Sequence, residues 1–367
     1  MVAPINLKGV KMLVYFQAKN IQNIAQEGIS LTLDRQGNIL IGPNASGKSN
    51  ILKSISFLKE LITSKNLSAL HPYRFSKSEA YSSIVAVFKI NNLYYRYSVK
   101  FYLTQKIFEE EHVEKSSDNK AFTSIVRRKK DEIEYIKPVD KMAIDTQTSV
   151  IALFRLLKID DEIEILFHFV NEGIYFLSSQ ESNIKEYLIS LHNDKRSGIY
   201  FDLMSQRLRE LKLGIQSIDV SPPHYGKRDI VLYHYDIDQL LSIDLESKGT
   251  QRLIEIIYLL CVIKPKVVII DEVENTIHPS VIKQLMLYAL EHQQQIIFST
   301  HTRELIDIDI YEKHSSKKIF FVRKDAKGFA VVTDTSNDSI ELDIKDSIYS
   351  EYYHDLFAQH SDKFEIQ

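Results

Sequence analysis

The sequence predicts an α/β fold: a mixed sheet built around a glycine-rich turn, an antiparallel β subdomain, and an inserted helical subdomain before the chain returns to the sheet. Three observations predict it. A short apolar run, Asn38-Ile-Leu-Ile-Gly42, leads into Gly42-Pro-Asn-Ala-Ser-Gly47-Lys48-Ser49 and then into a helical pattern. Residues 83–136 hold β-branched and aromatic runs spaced too closely for helical crossovers. From about residue 146 to 213 the apolar period turns helical, and later apolar strands end in Asp271-Glu272 and in His301.

Composition sets the limits. With 367 residues, 44% hydrophobic and 26% charged, the chain can bury a sizeable core, which excludes disorder over most of its length. Lys+Arg 46 against Asp+Glu 49 gives a net charge of −3, so a nucleic-acid surface must be a local patch. A single cysteine, Cys261, excludes an intrachain disulfide and a multi-cysteine zinc site. No apolar stretch reaches the length of a spanning helix and no signal-peptide core opens the chain, so the expectation is a cytoplasmic protein with no membrane segment.

Taken in order, Met12–Asn20 reads as a first strand, Gly28–Asp34 alternates with period two, and Asn38–Gly42 is a buried parallel strand. The next eight residues fit G-x-x-x-x-G-K-[ST]. Gly42 and Gly47 let the loop Pro43, Asn44, Ala45 and Ser46 turn its N–H groups inward on a phosphate tail, and the helix opening at Ser49 and Asn50 adds its dipole. Lys48 reaches the β- and γ-phosphates, and Ser49 offers its hydroxyl to Mg²⁺. Ile51, Leu52, Ile55, Leu58 and Ile62 then recur at helical spacing.

A loop is expected over 65–82, and a hairpin at Asn91-Asn92 joins Ser83–Ile90 to Leu93–Leu103. Ala121–Arg128 and Glu132–Ile136 extend the same antiparallel sheet. Ser149–Leu157, Glu162–Glu172, Ile184–Leu191 and Ile199–Leu213 read as helices, residues 215–245 return to strands, and Lys266–Glu274 is a second buried strand. The expected division is therefore 12–145, the inserted helical subdomain 146–214, the second half of the sheet domain 215–340, and a tail 341–367.

The strand Lys266-Val-Val-Ile-Ile ends in two carboxylates, where Asp271 supports Mg²⁺ and Glu272 polarises an attacking water as general base. Glu246-Ser247-Lys248-Gly249-Thr250-Gln251-Arg252 opens another apolar helix, and Ser247 by itself is an N-cap. One phosphate tail rarely needs two such cradles, so this one is expected to serve the nucleotide held by a second copy of the chain. Gln295-Ile-Ile-Phe-Ser-Thr-His301 places a histidine at a strand end, as a sensor of the γ-phosphate.

In their order and wording, Gly42–Ser49, Glu246–Arg252, Asp271-Glu-Val-Glu-Asn-Thr-Ile-His-Pro279 and Ser299-Thr-His301 resemble the ABC-type (SMC/RecF-like) AAA ATPases of bacteria over about residues 12–340. The resemblance implies a P-loop NTPase of ABC-ATPase head type that uses ATP and Mg²⁺. It implies a head-to-tail homodimer, or a higher even oligomer, with ATP between the phosphate loop and the trans signature Ser247, Lys248, Gly249 and Thr250. Asn275 to His278 match the D-loop that crosses that interface. Lys248 stands where the signature commonly has a small residue, and no Q-loop glutamine is evident after the first helix, so the expectation is either slow turnover or ATP that acts mainly as a dimer glue. Similar proteins in bacteria often belong to antiphage defence systems, so the resemblance suggests an ATPase paired with a separate effector such as a nuclease or toxin. The alternative is a RecF-like DNA-maintenance ATPase that binds DNA itself.

Other features have plainer readings. Arg127-Arg-Lys-Lys130 is a basic run expected to be a solvated turn, with phosphate binding as its alternative. Tyr94, Tyr95 and Tyr97 flank Arg96, but alternation splits them between two faces. Glu109-Glu-Glu-His112 and Asp307/Asp309 are acidic clusters without a second well-spaced ligand set. Cys261 is expected to be a buried small hydrophobe.

Overall fold

The computed structural model describes residues 10–35, 37–63, 80–102, 104–135, 142–179, 183–222, 227–274, 277–302, 305 and 317–334. Asn275, Asp307, Asp309, most of the expected loop 65–82 and the tail 341–367 lie outside them. In chain order, β1 (Lys11–Lys19), β2 (Ile29–Thr32) and β3 (Gly37–Ile41) lead into α1 (Lys48–Thr63). There follow β4 (Ser82–Ile90), β5 (Leu93–Tyr102), β6 (Ile107–Ser116), β7 (Thr123–Lys129), β8 (Glu132–Tyr135) and β9 (Met142–Ala143). Next come α2 (Val150–Leu157), α3 (Asp161–Gly173), β10 (Ile174–Leu177), α4 (Ile184–Leu191) and α5 (Ser197–Glu210). The strands β11 (Ile215–Val220), β12 (Ile230–His234) and β13 (Ile237–Ser242) precede α6 (Lys248–Tyr258) and β14 (Val267–Ile270). The described chain closes with α7 (Pro279–Glu291), β15 (Gln295–Thr300), β16 (Lys317–Lys324) and β17 (Ala330–Asp334).

The central sheet has the order β10-β14-β15-β3-β16-β17, parallel except for the last pair. Strands β3, β14 and β15 are buried along their whole length because both faces are covered. Val267 and Ile269 of β14 enter one core with α1, α2 and α3, whereas Val268 and Ile270 enter another with α4 to α7. Strand β15 lies between β3 and β14. The glycine-rich turn after β3, the carboxylates after β14 and the histidine after β15 therefore emerge at neighbouring strand ends, although long stretches of sequence separate them.

The second sheet, β2-β1-β4-β5-β6-β7-β8-β9, is antiparallel and packs on α1, with the Phe57 and Phe101 rings 5.8 Å apart. The β4–β5 hairpin pairs Ile90 with Leu93 across Asn91-Asn92, and Asn91 takes a left-handed φ of +60°, which asparagine tolerates. Tyr95 and Tyr97 are buried on one face, while Arg96 on the other pairs with Glu114 and lies over the Phe122 ring.

Two expectations need correction. The stretch 146–214 is not wholly helical, since β10 pairs with β14 from Ile174/Val267 to Leu177/Ile270 inside the central sheet. Four residues of β period are hard to see between helical patterns, and the insertion consequently straddles the sheet, α2 and α3 on one side, α4 and α5 on the other. Nor is the basic run a solvated turn. On β7 the period of two exposes Arg127 and Lys129 but encloses Arg128 completely. Arg128 Nη1 donates to Glu111 Oε2 at 2.9 Å, and its other donors reach the carbonyls of Lys130, Asp145 and Thr148. Glu111 also accepts from Tyr97 Oη, Ser149 Oγ and the Val150 N–H, each at 2.9 Å, which ties the start of α2 to the sheet. The acid of the Glu109–His112 cluster that points inward is thus the partner of an arginine, and among the described residues no group of three potential ligands could hold a metal.

Candidate functional site

The loop between β3 and α1 needs its glycines because other parts of the chain press on it. A Cβ on Gly42 would lie 1.9 Å from the Val322 carbonyl oxygen. At Gly47, where φ is +114°, a Cβ would lie 2.7 Å from Asn23 Nδ2 and 2.8 Å from the Ala330 Cβ. Pro43 is half-buried, Asn44 and Ala45 are exposed, and the buried Ser46 Oγ has no hydrogen-bond partner. Lys48 is buried and its Nζ donates to the Gly42 and Pro43 carbonyls at 2.7 and 2.9 Å. Burial pulls the Lys48 ammonium below the usual lysine range, against the opposing pull of the Glu274, Glu272 and Asp271 carboxylates.

Asp271, enclosed at the end of β14, collects two hydroxyls on one oxygen. Ser49 Oγ donates to its Oδ1 at 3.0 Å and Ser299 Oγ at 2.6 Å. Ser299 Oγ also accepts the Glu272 N–H at 2.8 Å, so the ends of β14 and β15 are stitched together through one serine. Glu272 sits in the left-handed region at φ +48°, a conformation rare for a non-glycine residue and found at functional sites. It aims into the same cavity as Lys48 and His301. His301 is positioned twice by one carboxylate oxygen. Glu274 Oε1 accepts its backbone N–H at 2.7 Å and lies 2.6 Å from Nδ1.

Lys48, Glu272 and His301 line one cavity of about 650 Å³, which Asn44, Ala45, Gly47, Ser49 and Asn50 also border. The structure therefore brings together the loop, Glu272 and His301, with Asp271 behind Ser49. Residues that the sequence did not single out complete the walls: Asn23, from the turn between β1 and β2, and Lys324, Lys327 and Phe329 around the β16–β17 turn. The turn signal Asp325-Ala-Lys-Gly328 between two β runs was the available clue to the latter. Asn23 follows two residues of positive φ, Asn20 and Gln22, which no sequence pattern announced.

The remaining predicted residues lie elsewhere. Ser247 caps α6, accepting the Thr250 N–H at 3.1 Å and bonding Thr250 Oγ1 at 2.9 Å. Ser247 and Lys248 are exposed. Ser247, Gly249 and Thr250 line a separate cavity of about 250 Å³ together with His278, which caps α7 through the Ser280 N–H. The two cavities share no lining residue.

A family model described as "AAA domain, putative AbiEii toxin, Type IV TA system" matches residues 38–307. None of the curated proteins matches the chain in sequence. Among solved structures, an SMC head bound to the C-winged helix domain of ScpA is 14% identical with a TM-score of 0.52, and the match covers 89% of this chain and 99% of that one. The Pyrococcus furiosus Smc head domain with an extended coiled coil, bound to the C-terminal domain of ScpA, is 12% identical with a TM-score of 0.53, covering 93% and 99%. At such identities the likeness is one of fold, the P-loop head of ABC type.

Proposed function

The chain belongs to this AAA-domain family and has the fold of SMC-type ATPase heads, and from that premise we propose that it binds and hydrolyses ATP as a nucleotide-driven dimer switch. The observation that carries the reading is the convergence of Lys48, Ser49, Glu272 and His301 on one cavity. Lys48 exchanges the carbonyls of its own loop for β- and γ-phosphate oxygens, which its charge and three donors suit. Ser49 and Asp271 supply two hard oxygens, a donor set that fits Mg²⁺, because this ion keeps waters and phosphate oxygens in its other positions. When bound, the ion neutralises charge on the phosphates. Glu272 orients a water for in-line attack on the γ-phosphorus and takes its proton as the bond to ADP breaks. His301, with Nδ1 held by Glu274, presents Nε2 to the γ-phosphate or to that water.

Dimerisation supplies the second half of each site. The exposure of Ser247 and Lys248, neither of which lines the cavity of their own phosphate loop, supports a signature that serves a second copy through Gly249, Thr250 and the helix dipole. His278, beside Ser247, and Asn275 belong to the same interface in this reading. Lys248 adds a positive charge there, consistent with a long-lived, ATP-bound dimer and slow turnover. The family's description names a putative toxin of a type IV toxin–antitoxin system, which supports a place among prokaryotic defence components, and we assign the chain the ATPase and sensor role, with control of a separate effector, in an antiviral defence system. No helix among the described residues is long and apolar enough to cross a membrane. Phosphate release from ATP by the purified chain, abolished in Lys48→Ala, tests the central reading; equal turnover in the two proteins overturns it.

A further inference from the structure

The motifs account for one end of the large cavity and leave the other without a role. In the order β14-β15-β3-β16-β17, the strand that carries the phosphate loop has Glu272 and His301 on one flank and the β16–β17 turn on the other. A triphosphate gripped by the loop with its γ end toward Glu272 and His301 therefore runs its α-phosphate and nucleoside toward that turn. Lys324, Lys327 and Phe329 line the cavity there, beside Asn23 and Asn50.

The turn has a fixed shape. Asp325 Oδ1 accepts the N–H groups of Lys327 and Phe329 at 2.9 and 2.8 Å, the Asp325 N–H donates to the Phe329 carbonyl at 2.9 Å, and Gly328 supplies a φ of +85°. Its position relative to the phosphate loop is fixed as well. The Ala330 N–H donates to the Asn23 carbonyl at 2.9 Å, Asn50 Nδ2 donates to Asn23 Oδ1 at 2.8 Å, and Gly47 is wedged against both Asn23 and Ala330. A half-buried aromatic ring and two exposed ammonium groups are thus held at a set distance from Lys48.

We propose that the β16–β17 turn is the nucleoside subsite, where the Phe329 ring stacks on a purine base and Lys324 and Lys327 neutralise the phosphates nearest the ribose. The inference rests on the reading of Gly42–Ser49 as a triphosphate site. A phenyl face gains more contact from a two-ring purine than from a pyrimidine, so the turn selects ATP or GTP over CTP or UTP. Lysine as a mobile point charge suits phosphate oxygens at the open side of the cavity.

Calorimetric titration with Mg-ATP, Mg-CTP and Mg-tripolyphosphate tests it. Tripolyphosphate carries the tail without a base. Phe329→Ala is expected to weaken ATP binding by about tenfold while leaving tripolyphosphate unchanged, and Phe329→Trp to preserve ATP binding. The Lys324→Ala/Lys327→Ala variant is expected to bind ATP with a shallower salt dependence than the parent. Equal weakening of ATP and tripolyphosphate in Phe329→Ala, unchanged ATP binding in that variant, or wild-type binding of CTP as tight as ATP each overturns the proposal while the phosphate site stands. Failure of the wild-type protein to bind either ATP or tripolyphosphate removes the phosphate site itself, and this inference with it.

Discussion

Glu274 Oε1 lies 2.6 Å from His301 Nδ1 and accepts the backbone N–H of the same histidine at 2.7 Å, so one oxygen fixes both the ring and its strand end. The Glu274 side chain is 7% exposed, and its other oxygen is buried without a hydrogen-bond partner. A carboxylate on Nδ1 holds a proton there and fixes the ring so that Nε2 faces substrate. Glu274→Gln is therefore expected to lower kcat by roughly 10- to 100-fold with little change in the Kd for ATP. The effect should be non-additive with His301→Ala. A parallel loss of ATP affinity, or simple additivity, would mean that Glu274 only supports the fold.

Glu272→Gln keeps the shape of the side chain and removes the base. Hydrolysis should fall by about 10²- to 10⁴-fold while ATP stays bound, and light scattering should find a dimer that outlasts the wild-type one. A variant that holds ATP and remains monomeric counts heavily against the dimer switch.

If Ser247 acts on the partner's nucleotide, subunits with different lesions can repair one another. Lys48→Ala and Ser247→Arg should each be inactive, yet a random mixture should regain about a quarter of the intact composite sites, because half the dimers are mixed and each has one good pair. Recovery is read as ATP retained on the mixture at saturating Mg-ATP, and none above the separate variants sinks the trans arrangement.

Arg128 and Glu111 are both fully enclosed, and Glu111 has four donors on its two oxygens. Truncating the arginine leaves a buried charge unpaired, so Arg128→Met should lower the unfolding free energy measured in denaturant by about 3–5 kcal/mol. Replacing both partners by apolar side chains should restore only part of this, since Tyr97, Ser149 and the Val150 N–H still lose their acceptor. Full stability in Arg128→Met would show the network to be dispensable.

Alkaline stability should depend on β5. Burial, with the Glu162 and Asp160 charges, pushes Tyr95 up to about 12, and burial beside Glu111 pushes the fully enclosed Tyr97 well above the usual phenol value. A phenol whose folded pKa is raised contributes stability that is whole below its unfolded value and is lost as pH climbs toward the folded one. Stability measured by urea unfolding should therefore decline from about pH 10 upward, and less steeply in Tyr95→Phe. An identical decline in the two proteins would exclude Tyr95 as a source.

The sequence by itself determined which residues form the loop and the strand ends on which the proposed chemistry rests. Gly42–Ser49 is a local pattern whose proposed phosphate binding rests on backbone geometry and a dipole, and four apolar residues before Asp271-Glu272 already say buried strand. Alternation likewise separated Tyr95 and Tyr97 from Arg96. Only the tertiary structure decided what stands beside what. Inserting β15 between β3 and β14 sets Ser299 against Asp271 and Glu274 against His301, and adding β16 on the far side brings Phe329 to a cavity begun some 280 residues earlier, at Lys48. Likewise, enclosure of Arg128 depends on Glu111 across the strand pair and on carbonyls from the segment before α2. Strand order and burial arise from packing between segments distant in the chain, where a residue's partners are fixed by the whole core rather than by its neighbours in sequence.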